Sequence, residues 1–198
     1  EMTKIVTELL GELKGNEIKY AMYLLLGRLV PKYIPIEFNF SQKLILKALG
    51  ALSEEATVKG YFSKFGDVGT VASQIIDDME GKKTEVTSEE LTLESSENSQ
   101  KTYVIEDKDL EIAEVYKSLQ VITEASGKGS QEAKITSYLN LITSLDTLSS
   151  RFVTRMIVGT IRLGISDKTL LDSLSWFAAG DKSLRNDLDI AFGKKADI

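Results

Sequence analysis

The sequence predicts an all-α protein, a compact array of about ten helices, and three observations carry that expectation. Only 2 of the 198 residues are proline, and Leu, Ile, Lys, Glu and Ser are abundant, a balance that favours helix. Apolar residues recur three and four positions apart along most of the chain. Glycines and short polar residues fall where those stretches end and begin.

The elements follow in order. Residues 2–14 read as an amphipathic helix through Ile5, Val6, Leu9, Leu10 and Leu13, closed by Gly15. Asn16 can cap a second helix containing Ile18, Met22, Leu25, Leu26 and Leu29, ended by Pro31. Pro31 and Pro35 hold residues 31–39 extended. Ser41 opens a third helix that runs to Gly50, and Ser53 with Glu54 and Glu55 opens a fourth ending near Phe65 and Gly66. The turn Gly66-Asp67-Val68-Gly69 enters a fifth helix, from Val68 to about Glu80.

Residues 81–109 differ in kind, being polar and acidic. Leu91 and Leu93 on one side and Tyr103 and Ile105 on the other alternate at period two, so a small β-hairpin or a loop insert is expected near 84–106. Residues 110–125 return to helical spacing through Ile112, Val115, Tyr116, Leu119 and Ile122. Gly127-Lys128-Gly129 leads into Ser130, an N-cap candidate for a helix over 131–146. The next helix spans roughly 148–163, with Gly164 just past its end. Asp167 caps a helix running to Gly180, in which Trp176 and Phe177 are expected in the core, and Asp181 caps the last, containing Leu184, Leu188 and Phe192. The whole of 1–198 reads as a single helical domain.

Hydrophobic content of 42% and charged content of 27% describe an ordinary soluble protein with a real core. No run has the length of a membrane span and no basic-then-apolar leader is present, so no membrane partner is expected. Cysteine and histidine are both absent. Disulfides, thiol nucleophiles, zinc sites of the usual kind and a histidine general base are thereby excluded, and no acidic cluster has metal-ligand spacing. No catalytic residue and no metal ligand is assigned.

The net charge of −6 argues at first against nucleic acid, but its distribution matters more. Residues 77–114 hold 13 acidic and 4 basic side chains, a local −9, which leaves +3 for the remainder. Residues 127–168 hold 6 basic and 3 acidic side chains. Stepping about 100° per residue from Arg151, Arg155 falls at about 40° and Arg162 at about 20°, opposite an apolar stripe. No Asp or Glu lies between Thr147 and Ser166 to neutralise them. Such a stripe is either a solvated face or a phosphate-binding one. The glycine turns favour phosphate, because backbone N–H groups and the positive dipole end meet at a helix N-terminus. GKGS is not a nucleotide-binding P-loop, which needs a further glycine five residues earlier and a preceding buried strand.

GKGSQEAK followed by RFVTRMIVGTIRLGISDKTLLDSL resembles the N-terminal DNA-binding domain of ATP-dependent DNA ligases of the archaeal and eukaryotic type. MYLLLGRLVPKY, FNFSQKLILKAL and KFGDVGTVA agree with that family in order and spacing, and the resemblance covers about 21–72 and 110–179. The acidic stretch 81–101 departs from the family pattern. The resemblance implies an all-helical domain that grips the minor groove of double-stranded or nicked DNA during nick sealing in replication, repair and recombination. It implies partner domains in cis (nucleotidyltransferase and OB-fold), ATP and Mg2+ as cofactors of the parent enzyme, and a sliding clamp as a further partner. It places the protein in the cytoplasm at the nucleoid, or in the nucleus. The family's nucleophile sits in a Lys-x-Asp-Gly motif that these residues lack, so this chain alone is expected to be inactive.

Carried onto matching positions, the resemblance makes Gly127, Lys128, Gly129 and Ser130 phosphate binders, with Lys134 one turn along. Arg155, Arg162 and Gly164 form a second segment, to which the arginine stripe adds Arg151 as a DNA-binding candidate, and Gly66 and Gly69 form a third. The competing expectation is an acidic helical module that binds protein through residues 77–114 and does not bind DNA.

Overall fold

The computed structural model describes residues 1–86 and 110–197, with backbone only for 82–86. Ten helices are present among the described residues, and no strand. They are α1 (Met2–Glu12), α2 (Asn16–Leu25), α3 (Gln42–Leu49), α4 (Glu55–Phe65), α5 (Val68–Val86), α6 (Ile112–Glu124), α7 (Ser130–Ile142), α8 (Thr147–Ile157), α9 (Asp167–Ala179) and α10 (Arg185–Lys195). The all-α expectation holds. The hairpin or loop expected around Leu91, Leu93, Tyr103 and Ile105 lies outside the described residues. The chain divides into two compact units, 1–37 with 111–123 and 161–198, and 38–110 with 124–160.

In the first unit, Val6 and Leu10 of α1, Met22 of α2 and Leu170 of α9 form a buried cluster. Ile18, Leu25, Leu26, Ile165 and Leu174 pack around it. Ser173 is fully buried where α1 and α9 meet, and its hydroxyl lies 3.2 Å from the Thr3 carbonyl. Thr7 Oγ1, which donates to the Thr3 carbonyl at 2.8 Å, lies 3.3 Å from the Ser173 carbonyl. The Tyr116 hydroxyl of α6 donates to the Leu29 carbonyl, and its ring stacks on Tyr20 at 4.3 Å between centroids. α2 stops at Leu25, short of the expected Leu29, because the chain turns at Gly27 with φ +68°. A Cβ there would also collide with Ile161 Cγ2.

Several N-caps differ from expectation: Gly15, not Asn16, precedes α2, and Glu54, not Ser53, precedes α4, neither with a side-chain cap bond. Ser166, not Asp167, caps α9: Ser166 Oγ accepts from the Thr169 amide in a reciprocal capping box. The Asp167 carboxylate instead accepts from Arg28 Nη2 at 2.8 Å and Lys32 Nζ at 2.6 Å. Asp181 accepts from the Ser183 amide within a tight turn, so α10 begins only at Arg185. Trp176 and Phe177 are 43% and 44% exposed, which corrects their expected place in the core. α9 buries Leu170, Leu171, Ser173 and Ser175, all of which precede the final turn that carries the two rings.

The second unit is built on α5. Val68, Val71, Ala72, Ile75 and Ile76, at i, i+3, i+4, i+7 and i+8, form a continuous buried stripe. α5 continues to Val86, past the expected end at Glu80. Ile45, Ala48 and Leu49 of α3, Val58 of α4, Tyr138, Leu139, Leu141 and Ile142 of α7, and Met156 and Ile157 of α8 complete this unit's interior. Tyr138 is fully buried, edge-on to Phe40 at 5.5 Å. Its hydroxyl donates to Thr154 Oγ1 at 2.9 Å, because the Thr154 hydrogen is already given to the Ser150 carbonyl at 2.7 Å.

Candidate nucleic-acid interface

In the second unit the Gly127–Ser130 turn is formed by two left-handed glycines, Gly127 at φ +81° and Gly129 at φ +84°. The Ser130 amide donates back to the Gly127 carbonyl at 3.2 Å, and the first helical bond runs from the Ala133 amide to the Gly129 carbonyl at 3.1 Å. Closing that turn makes Ser130 the first residue of α7 and Gly129 its N-cap, one residue earlier than expected. A glycine cap has no side chain, so the first-turn amides of α7 carry no side-chain cap. Gly127, Lys128 and Gly129 are exposed and nothing lies within 4 Å of where a Cβ would stand on either glycine. This is an open helix start with Lys128 before it and the exposed Glu132 in its first turn, and the positive dipole end points outward.

Lys134 is placed differently. It is 6% exposed, and its ammonium donates to the Phe38 carbonyl at 2.6 Å. Its charge is directed into the fold, where it ties α7 to the segment preceding α3.

The glycine turn at 66–69 separates into two halves. Gly66 is exposed and left-handed at φ +65°, ending α4 with its amide on the Phe62 carbonyl at 2.8 Å. Gly69 is buried, and a Cβ on it would stand 2.6 Å from the Arg151 carbonyl oxygen and 2.6 Å from Arg155 Cγ. Its visible work is to let α5 and α8 approach closely. Between the two glycines, Asp67 accepts from the Thr70 amide at 2.7 Å and so caps the first turn of α5.

α8 ends at Ile157, six residues before the expected end, because the chain takes a left-handed turn at Gly159 with φ +70°. The Thr160 amide bonds the Arg155 carbonyl at 2.8 Å and seals that end. Arg151 and Arg155 therefore lie on α8 in the second unit, whereas Arg162 and Gly164 follow it and belong to the first. The single-helix stripe of three arginines is thus corrected. Both Arg162 and Gly164 are exposed, and Gly164 is left-handed at φ +69°.

The expectation that these arginines lack acidic partners also needs correction. Arg155 grips Asp67 through Nε, at 3.1–3.2 Å, and Nη2, at 2.9 Å. Sequence reasoning assigned Asp67 no role; its position three residues before Thr70 was a capping signal, but its pairing with Arg155 crosses 88 positions. Burial alone would raise the Asp67 carboxyl, and the hydrogen bonds from Arg155 and Thr70 outweigh it, holding the group below the ordinary aspartate value. Arg151 has its Nε buried without a hydrogen-bond partner among the described residues.

Among the described residues no group of three or more carboxylates, cysteines or histidines is arranged to hold a metal ion. No helix among them is long and apolar enough to cross a membrane.

The family model for the DNA ligase N terminus matches residues 1–175. A probable DNA ligase of Dictyoglomus turgidum is 32% identical over the full chain, which covers 30% of that relative. A DNA ligase of Thermoplasma volcanium is 31% identical, again over the full chain and 30% of the relative. DNA ligase 2 of Thermofilum pendens is 30% identical over the full chain and 31% of the relative. The chain thus spans about a third of the length of these curated relatives, and it belongs to the DNA ligase N-terminal family.

Proposed function

We propose that this chain is the DNA-binding domain of an ATP-dependent DNA ligase. It grips double-stranded DNA around a nick through sugar–phosphate contacts in the minor groove, and presents that nick to catalytic domains of the same polypeptide during replication and repair. ATP and Mg2+ belong to those domains, which carry the chemistry. The observation that supports the reading most directly is the exposed Gly127-Lys128-Gly129 turn at the uncapped start of α7, in a chain of this family. Backbone amides there suit a phosphate of any sequence context, and a nick-sealing enzyme needs that indifference.

Gly66, Arg151, Arg162 and Gly164 are the further contacts. Lys134 and Gly69 are both buried and make no such contact. Three cations among these contacts, Lys128, Arg151 and Arg162, each neutralising one phosphate, give a log–log salt slope of about −3.

The test is fluorescence anisotropy of a labelled nicked duplex titrated with this chain at three salt concentrations. Salt-dependent binding, similar for unrelated sequences and with a slope made shallower by about 0.9 per cation removed in Lys128→Ala and Arg162→Ala, supports the reading. An absence of binding even at low salt refutes it and shifts attention to the acidic residues 77–114 as a protein-binding segment.

A further inference from the structure

Arg155 resembles a DNA contact in sequence but is engaged inside the fold. Its guanidinium lies against Asp67 through two nitrogens, and the two side chains are only 23% and 27% exposed. Its stem passes over Gly69, where any side chain would displace it, and its guanidinium sits 5.9 Å from the Phe152 ring. Asp67 Oδ2 simultaneously accepts from the Thr70 amide and hydroxyl, both at 2.7 Å. One carboxylate therefore joins the start of α5 to the last turn of α8, directly beside the exposed Gly66.

We propose that Asp67 and Arg155 are positioning residues for DNA binding: together they fix the Gly66 turn against α8, and Arg155 does not itself neutralise a phosphate. This rests on the DNA-binding reading above. A bidentate arginine–carboxylate pair fixes orientation as well as distance, which a lysine cannot do. Packing over Gly69 removes the freedom that Arg155 would need to swing toward a strand of DNA.

The proposal makes a prediction opposite in sign to simple electrostatics. Asp67→Asn removes a negative charge near the DNA face, and asparagine keeps the cap on the Thr70 amide because it is an equally good N-cap. If Arg155 were a phosphate contact restrained by Asp67, this variant would bind nicked duplex more tightly and its salt slope would steepen by about 0.9. If the pair is a positioning device, affinity falls while the slope stays that of the parent chain. Arg155→Lys should do the same, since it keeps the charge and loses the fork. In Asp67→Asn/Arg155→Lys the loss should be no greater than in either single variant, because both break one interaction.

The measurement is the same anisotropy titration of a labelled nicked duplex, with circular dichroism to establish that each variant retains its helical signal. Arg155→Lys is the milder change should Asp67→Asn unfold. Tighter binding or a steeper slope in Asp67→Asn overturns the inference, as do additive losses in the double variant. Failure of the parent chain to bind DNA removes the DNA-binding reading and this inference with it. A parent that binds, with variants of the wrong sign, removes the inference alone.

Discussion

Replacing Gly69 by alanine tests the close approach of α5 and α8. The new Cβ would stand 2.6 Å from the Arg151 carbonyl oxygen, 0.4 Å inside the 3.0 Å limit that real Cβ atoms respect (3.0 − 2.6 = 0.4). That oxygen is backbone and cannot rotate away. The second obstacle, Arg155 Cγ, also at 2.6 Å, belongs to a side chain tied to Asp67. α5 and α8 must therefore move apart, and forced overpacking of this kind costs about 1–3 kcal/mol. Gly60 supplies the control. It lies inside α4 with nothing within 4 Å of its Cβ position, so Gly60→Ala should stabilise the helix by roughly 0.5–1 kcal/mol. For a chain of this size each kcal/mol moves the melting temperature by about 2–4 °C. Thermal unfolding followed by circular dichroism should place Gly60→Ala above the parent and Gly69→Ala below it. A Gly69→Ala variant melting at or above Gly60→Ala would show that α5 and α8 are not in the close contact described.

Three further outcomes follow from groups whose partners are defined. Tyr138→Phe removes the donor to Thr154 Oγ1 in a fully buried setting; stability should fall by about 1 kcal/mol in urea unfolding, and an unchanged midpoint would contradict the hydrogen bond. Lys134→Met deletes the ammonium bonded to the Phe38 carbonyl and should cost about 1–3 kcal/mol, with the salt slope of DNA binding unchanged; a slope shallower by about 0.9 would place that lysine on a phosphate. Asp67 and Asp167 both titrate below the ordinary aspartate value. For Asp167 burial again raises the group, and Lys32 and Arg28 outweigh it. A depressed folded value gives stability that is complete above the unfolded value of about 3.9 and is lost as the pH falls through the folded values. The melting temperature should therefore drop below about pH 4, and Asp167→Asn should flatten that drop; an equally steep acid limb in the variant would deny the carboxylate this role.

The same residues explain how far the sequence could be read. The stripe of Val68, Val71, Ala72, Ile75 and Ile76 is local, so its spacing announces both the helix and its buried face before any fold is known. Ser41 accepting from the Leu44 amide, and Gly66 and Gly180 as left-handed ends of α4 and α9, are local in the same sense. Gly159 and Gly164 show where local reading fails. Both are left-handed, either could end α8, and the apolar spacing continues across the first, so the choice between them is made by the packing of the chain on either side.

Charge is less legible still. A helix that carries arginines and no acids looks bare in sequence, yet the acid that answers Arg155 comes from the turn before α5, 88 positions away. Lys134 finds a carbonyl 96 positions away. Local charge counting therefore marks the cations near the proposed nucleic-acid surface without separating those free to meet phosphate from those engaged inside the fold. In this chain burial makes the separation: Lys128 and Arg162 are exposed, whereas Lys134 and Arg155 face partners within the fold. In the proposed DNA complex a salt slope counts the cations that meet phosphate, while affinity responds to both kinds. The two quantities measured together on the same variants assign each cation to one role or the other.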